Sequence, residues 1–451
     1  ALAPPGWRAG GEAEAGAGWR AADGRWRALG AAELPPGWAT EEAEPEPPGS
    51  EACFAALLHG DCDQWLAYAC VLGRRLKETS PGPDRVLMCG PGVCCAEPAA
   101  REALRASGWQ RLLPVRLITA GHLDKTCSKR HTLVFTKLRV LELPYSRALL
   151  LDLDILPRSG ADLGELLRLE APAAKYCCSR YWGPEPAHAV RIPEELREGL
   201  NWSPNAGVMR LDPLPTLEDR VAQVEAMVQE VQTRDVATYL PEQYYLAERI
   251  ADWTNLGSAW NWEVWPEWDD PGFLVPRAKA LRQAREGGWS GYYVAGSTPS
   301  PQAVLQQVRV WHFSGNGVDE TAPWWFQDLP DADAAGAQAA EAFRARDPGG
   351  IVAVAVQEWR EALEAVLADP APALAAVREA ATRLAAEAAA RRASGWLCDV
   401  CHKRRQTVRE VKRFPTASEY QRKWVCADCV VLCLVTPRRR RPGVSTKRTG
   451  L

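Results

Sequence analysis

Residues 148–156 read Ala148-Leu149-Leu150-Leu151-Asp152-Leu153-Asp154-Ile155-Leu156. A short apolar run of this kind reads as a buried strand. An acidic pair at its C-terminal end sits where open α/β sheets bind their ligands. Period-two geometry points Asp152 and Asp154 to one side of the chain. Hard divalent ions such as Mg²⁺ and Mn²⁺ take oxygen ligands from few residues, with phosphate supplying more. The stretch therefore predicts a metal–diphosphate site on an α/β sheet. A solvated surface pair is the plainer reading of a lone D-x-D, and the apolar residues in front of this one weigh against it.

The flanking sequence has the matching texture. Strands are predicted over 53–58, 85–89, 112–117, 148–151, 205–211 and 309–313, and helices over 64–77, 97–107, 132–141 and 217–233. Strands alternating with helices imply a mostly parallel sheet with helices on both faces.

The chain has 451 residues, enough for two or three domains, and a formal net charge of −3, which excludes a generic polyanion or nucleic-acid binder. Residues 1–50 are rich in Ala, Gly, Glu and Pro, and are expected to be a flexible lead-in. Residues 51–330 carry the α/β pattern, and 331–395 are Ala-rich with Glu and Arg, expected to form helical hairpins. No apolar run approaches the length of a membrane span. Of the cysteines, nine are scattered from Cys53 to Cys178, an odd number that is no disulfide framework. A reducing compartment fits them, and a cytoplasmic location is expected.

The remaining cysteines belong to a different pattern in residues 396–451. Cys398-Asp399-Val400-Cys401 and Cys426-Ala427-Asp428-Cys429 form a C-x2-C…C-x2-C arrangement, which matches a tetrahedral structural Zn²⁺ site. A segment this short needs the metal to fold. Lys403-Arg404-Arg405, Lys412-Arg413 and the run Arg438 to Arg441 surround it. That surface suits either a protein contact or a nucleic-acid contact, and no base-reading motif separates the two.

Further phrases fall in order around the acidic pair. They are Thr136-Lys137-Leu138 upstream, then Asn205-Ala206-Gly207-Val208, Glu242-Gln243 and His312-Phe313-Ser314-Gly315 downstream. Together these resemble glycosyltransferase family 8, the group containing glycogenin and galactinol synthases, over roughly residues 51–330. The resemblance implies a GT-A type, Rossmann-like nucleotide-diphospho-sugar transferase domain. It implies transfer of a hexosyl group from a UDP-sugar to a carbohydrate, polyol or protein acceptor, with retention of anomeric configuration and Mn²⁺ (or Mg²⁺) as cofactor. By the same resemblance Asp152, Asp154 and His312 match the metal ligands, and Lys137 matches a lysine reaching donor phosphate. Asn205 and Gly207 match the segment lining the donor sugar, Gly315 lies in the donor-binding phrase, and Glu242-Gln243 match an acid–amide pair beside the transferred sugar. Trp65 matches, loosely, an aromatic that stacks on uracil.

The chain departs from glycogenin-like members after His312-Phe313-Ser314-Gly315, where Asn316-Gly317-Val318-Asp319-Glu320 carries no lysine. That departure supports an alternative: a catalytically weakened, glycosyltransferase-like binding module that works through its zinc and basic tail. Haloacid-dehalogenase-type phosphatases also place D-x-D after an apolar strand, but they expect Thr or Val where this chain has Leu156. Trp253, Trp260, Trp262, Trp265 and Trp268 read either as an acceptor-stacking platform or as large core residues.

Overall fold

The computed structural model describes residues 17–18, 27–28, 49–59, 63–90, 97–120, 129–176, 190–191, 204–233, 241–250, 252–264, 301–313, 350–394, 396–397, 404–405, 409–413 and 421–425. The chain divides into two compact units, 1–383 and 384–451.

In the first unit the α/β architecture expected from the sequence is the one observed. Strands β1 (Ala52–Leu58), β2 (Asp84–Cys89), β3 (Arg111–Pro114) and β4 (Arg147–Leu151) lie in the spatial order β3-β2-β1-β4, and every neighbouring pair among them is parallel. Helices α1 (Asp63–Thr79) and α2 (Pro98–Ala106) connect the first three strands. β1 is buried on both faces, with Cys53, Phe54, Ala55, Ala56 and Leu58 wholly enclosed. That is why it reads as a continuous apolar run rather than an alternation. The strand order reverses between β1 and β4. Such a switch point opens a crevice outside the carboxyl ends of the strands, and Asp152 directly follows β4 there.

Three features differ from the sequence expectation. The strand β8 (Pro204–Leu211) pairs antiparallel with β4, Val208 opposite Leu151, instead of continuing the parallel set. Beyond it the sheet is completed by β6 (Ala173–Tyr176), β9 (Thr254–Asn255) and β7 (Val190–Arg191). The late strand β11 (Val310–His312) does not join this sheet. It lies between β10 (Trp262–Glu263) and β5 (Ile155–Pro157) in a separate sheet of three strands. The turn at Asp152–Asp154 carries the chain out of one sheet and into the other. Finally, residues Lys129–Glu142 form a 3₁₀ helix, not the α-helix expected over 132–141. Thr132, Val134, Thr136 and Val140 are β-branched and weaken α-helix propensity.

The 3₁₀ helix is tied down on its inner side. Thr136 Oγ1 accepts from Ile118 N at 2.9 Å, and Arg139 Nη1 contacts Glu142 Oε1 at 2.5 Å. Phe135 and Leu138 are buried in the core with Tyr245, whose ring lies 5.7 Å from that of Phe135. Helices α3 (Leu217–Thr233) and α4 (Pro241–Arg249) pack over the same core. After α5 (Pro301–Gln307), helix α6 (Ile351–Ala368) contributes Glu358, which receives Arg158 Nη2 at 2.6 Å and Trp311 Nε1 at 2.7 Å. A partly buried, bidentate Arg–carboxylate pair of this kind is directional. It ties α6 to Arg158, which follows β5, and to Trp311 on β11, one residue away from His312. Helix α7 (Ala375–Ser394) follows.

In the second unit Trp396–Leu397 pairs with Arg404–Arg405, and Arg409–Arg413 with Gln421–Val425, both antiparallel. The four cysteines of the expected zinc site, Cys398, Cys401, Cys426 and Cys429, lie outside the described residues. Among the described residues no helix is long and apolar enough to cross a membrane.

Candidate functional site

The ladder between β5 and β11 assembles the site. Ile155 stands opposite His312, and Phe313 N donates to Asp154 O at 2.8 Å. On the other side Asp152 N donates to Gly207 O at 2.9 Å, which ties the acidic turn to β8. Asp152, Asp154 and His312 thereby each present one ligand atom, all within 4.8 Å of one another. Mg²⁺ and Ca²⁺ bind oxygens at roughly 2.0–2.6 Å, so atoms sharing one ion lie up to about 4–5 Å apart. The donor set fits a single divalent ion of the Mg²⁺ or Mn²⁺ type. Both carboxylates are partly exposed, while His312 is buried, so the imidazole forms the floor and the acids form the rim.

Charge is balanced locally. Lys137 Nζ lies 2.6 Å from Asp152 Oδ1 and 3.7 Å from Glu242 Oε1. Burial works against its ammonium, but Asp152 and Glu242 overcome that cost and hold the lysine pKa well above its usual range. His312 Nε2 lies 3.4 Å from Asp154 Oδ1. Burial opposes the imidazolium, and the Asp154 carboxylate outweighs it, so the His312 pKa is raised. For Asp154, burial raises and the His312 charge lowers, and the pKa ends depressed. Asp152 goes the other way, since its burial and the neighbouring Asp154 exceed the help from Lys137. Perturbed acids of this kind cluster at functional sites. His59, at the end of β1, has its pKa lowered by burial and then by the Lys137 charge.

Glu242 and Gln243 occupy the first turn of α4 and are buried. Lys137 is the bridge that brings Glu242 to the acidic turn. Trp65, half-buried in the first turn of α1, lies 5.7 Å from the Tyr68 ring, and Tyr68 in turn senses the Asp154 charge after its own burial. Gly315 lies outside the described residues.

Asn205 and Gly207 lie on β8 beside His312. A Cβ on Gly207 would fall 2.2 Å from His312 Cε1, so the absence of a side chain makes room for the imidazole. Asn205 Oδ1 accepts from Gly207 N at 2.8 Å and from Asn261 Nδ2 at 2.9 Å, while Asn205 Nδ2 donates to Glu263 Oε1 at 3.1 Å. Asn261 Oδ1 is 2.8 Å from His312 Nδ1, and Lys175 Nζ donates to Glu263 Oε2 at 2.9 Å. Asn261, Glu263 and Lys175 were not legible as site residues. Their one signal was position, a polar Asn261 and Glu263 set among the tryptophans. Among the described tryptophans Trp253 and Trp260 are wholly buried core residues, while Trp262 is half-buried on β10. Trp265 and Trp268 lie outside the described residues.

The chain matches no protein-family model and no curated protein sequence. Among solved structures it is similar to the galactosyltransferase LgtC in complex with donor and acceptor sugar analogues, at 15% identity and TM-score 0.36, over 65% of this chain and 94% of that one. It is similar to the WbbM bifunctional glycosyltransferase at 12% identity and TM-score 0.42, over 74% of this chain and 52% of that one. Mouse xyloside xylosyltransferase 1 is similar at 16% identity and TM-score 0.31, over 59% of this chain and 98% of that one.

Proposed function

We propose that the chain is a GT-A type, retaining glycosyltransferase that moves a hexosyl group from a UDP-sugar to a carbohydrate, polyol or protein acceptor. The observation that carries this reading is the convergence of Asp152, Asp154 and His312 within 4.8 Å at the switch point beside the parallel strands β1 and β4. Those three residues hold Mn²⁺ or Mg²⁺. When bound, the ion supplies positive charge against the diphosphate of the departing UDP. Lys137 meets donor phosphate from the 3₁₀ helix, and Trp65 offers a half-buried ring to the base. Glu242 and Gln243 contact the transferred sugar, with Glu242 as the carboxylate that steadies positive charge at the anomeric carbon. Asn205, Gly207 and Gly315 complete the donor side.

A second proposal concerns the tail. Cys398, Cys401, Cys426 and Cys429 hold a structural Zn²⁺ in a module with a basic surface suited to a protein or nucleic-acid contact. Cys398 and Cys401 fall between the paired segments Trp396–Leu397 and Arg404–Arg405, and Cys426 directly follows the strand ending at Val425. The nine cysteines scattered from Cys53 to Cys178 form no disulfide framework, which supports a reducing compartment, the cytoplasm.

The test is UDP release from a panel of UDP-sugars with Mn²⁺, for the wild type, Asp152→Asn and Asp154→Asn. Each substitution removes a charged ligand and keeps the side-chain shape. Turnover is expected to fall by orders of magnitude with little change in folding. Unchanged UDP-sugar binding and turnover in both variants refutes the metal-site assignment. No UDP-sugar binding by the wild type leaves the binding-module reading, which the lysine-free sequence Asn316 to Glu320 favours.

A further inference from the structure

We propose that Asn261 is a positioning residue, which holds the His312 imidazole with its proton on Nδ1 so that Nε2 presents a lone pair beside Asp154. This rests on the metal-site reading above for its purpose, but its geometry stands without it.

The argument is one of forced donors and acceptors. Gly207 N–H can only donate, and it faces Asn205 Oδ1 at 2.8 Å. The other end of the same amide, Nδ2, faces Glu263 Oε1 at 3.1 Å, while Lys175 holds the second Glu263 oxygen at 2.9 Å. A reversed Asn205 amide would set donor against donor at one end and oxygen against carboxylate at the other. Its orientation is therefore fixed twice over. Because Asn205 shows Oδ1 to Asn261, the atom of Asn261 that meets it at 2.9 Å must be Nδ2. Asn261 Oδ1 is then left facing His312 Nδ1 at 2.8 Å, and only a protonated Nδ1 satisfies it.

Asn261 has little freedom to do otherwise. It is wholly buried, its backbone N donates to Ser258 O at 3.2 Å, and its carbonyl accepts from Lys175 Nζ at 3.1 Å. No solvent competes for the amide. A neutral imidazole has two tautomers, and the hydrogen bond at one nitrogen decides which nitrogen is left to bind a metal. Second-shell partners of this kind typically account for about 10–100-fold in metal affinity. The relay begins on the backbone N–H of Gly207 and is backed by the Glu263 carboxylate, and together they set which end of the Asn261 amide faces the ring.

The experiment uses the full-length chain labelled with ¹⁵N-histidine, in EDTA and at a pH where the ring is neutral. Imidazole ¹⁵N shifts report the tautomer, and His312 is assigned by elimination through Gln replacement of the other five histidines. The wild type is expected to carry the proton on Nδ1. In Asn261→Leu the preference is expected to move to Nε2–H, the form isolated side chains favour, and Mn²⁺ affinity to fall roughly 10–100-fold. A wild-type proton on Nε2, or an Asn261→Leu variant that keeps Nδ1–H and full Mn²⁺ affinity, overturns the proposal. Should Asn261→Leu fail to fold, the wild-type tautomer decides alone. Should the wild type bind no Mn²⁺, the metal reading fails, and the tautomer measurement still decides this one.

Discussion

Gly207 and His312 share a single volume: a Cβ on the glycine would lie 2.2 Å from Cε1 and 2.5 Å from Nδ1 of the imidazole. The ring is buried, with β10 on one side of its strand and β5 on the other, so it has nowhere to retreat. Gly207→Ala is therefore expected to act on metal binding through packing alone. Overfilling a packed site costs about 1–3 kcal/mol, and the displaced ring is expected to weaken Mn²⁺ by at least about tenfold. Thermal melts and Mn²⁺ titration of the variant check both halves. Wild-type Mn²⁺ affinity in Gly207→Ala would mean that the ring tolerates displacement and that the close approach serves something else.

The raised His312 pKa predicts two pH trends of opposite sign. Its folded value lies above the ordinary 6.5, so the stability it contributes is full below 6.5 and is lost as pH rises through the folded value. Metal binding runs the other way, because only the neutral ring is a ligand. Below the folded value, Mn²⁺ affinity is expected to fall by about tenfold for each pH unit. Melts in EDTA and Mn²⁺ titrations across that window test the pair. A pH-independent Mn²⁺ affinity there rules out His312 as a ligand.

Lys137 is shared between Asp152 and Glu242, and it offers a cation where the sequence Asn316 to Glu320 has no lysine. Charged hydrogen bonds contribute about 1.5–3 kcal/mol. The upper end is expected for Lys137→Ala, roughly a hundredfold in UDP affinity. Mn²⁺ binding in the absence of nucleotide should hold or tighten, since a competing positive charge beside Asp152 is gone. Val318→Lys is expected to tighten UDP. If Lys137→Ala is silent and Val318→Lys without effect, the pocket does not handle a nucleotide sugar.

The tail is expected to be separable from the chemistry. A chain ending near Arg391 should bind UDP-sugar as the full chain does, while the full chain purified under reducing conditions should contain one zinc. Elemental analysis is sufficient, and finding no zinc refutes the Cys398, Cys401, Cys426 and Cys429 assignment.

Sequence alone determined the strands and most helices of the core, because burial on one or both faces leaves a periodic trace in residue type. The apolar run Leu149 to Leu151 reads as a buried strand, and the acids after it as standing at its end. The ordered phrases around Asp152 were legible for the same reason: they are local. What tertiary structure decided was which distant strands meet. Nothing in Val310-Trp311-His312 says that it pairs with Ile155-Leu156-Pro157 in a second sheet rather than closing the first. That pairing is what delivers His312 to Asp154. The amide relay through Asn205 and Asn261 was hidden for a deeper reason. A buried asparagine is chemically identical to an exposed one in sequence, and its role is set by which donors and acceptors the fold aims at it. Even Gly207 showed only that a side chain was unwelcome there, and the packed structure alone identifies the imidazole that takes its place.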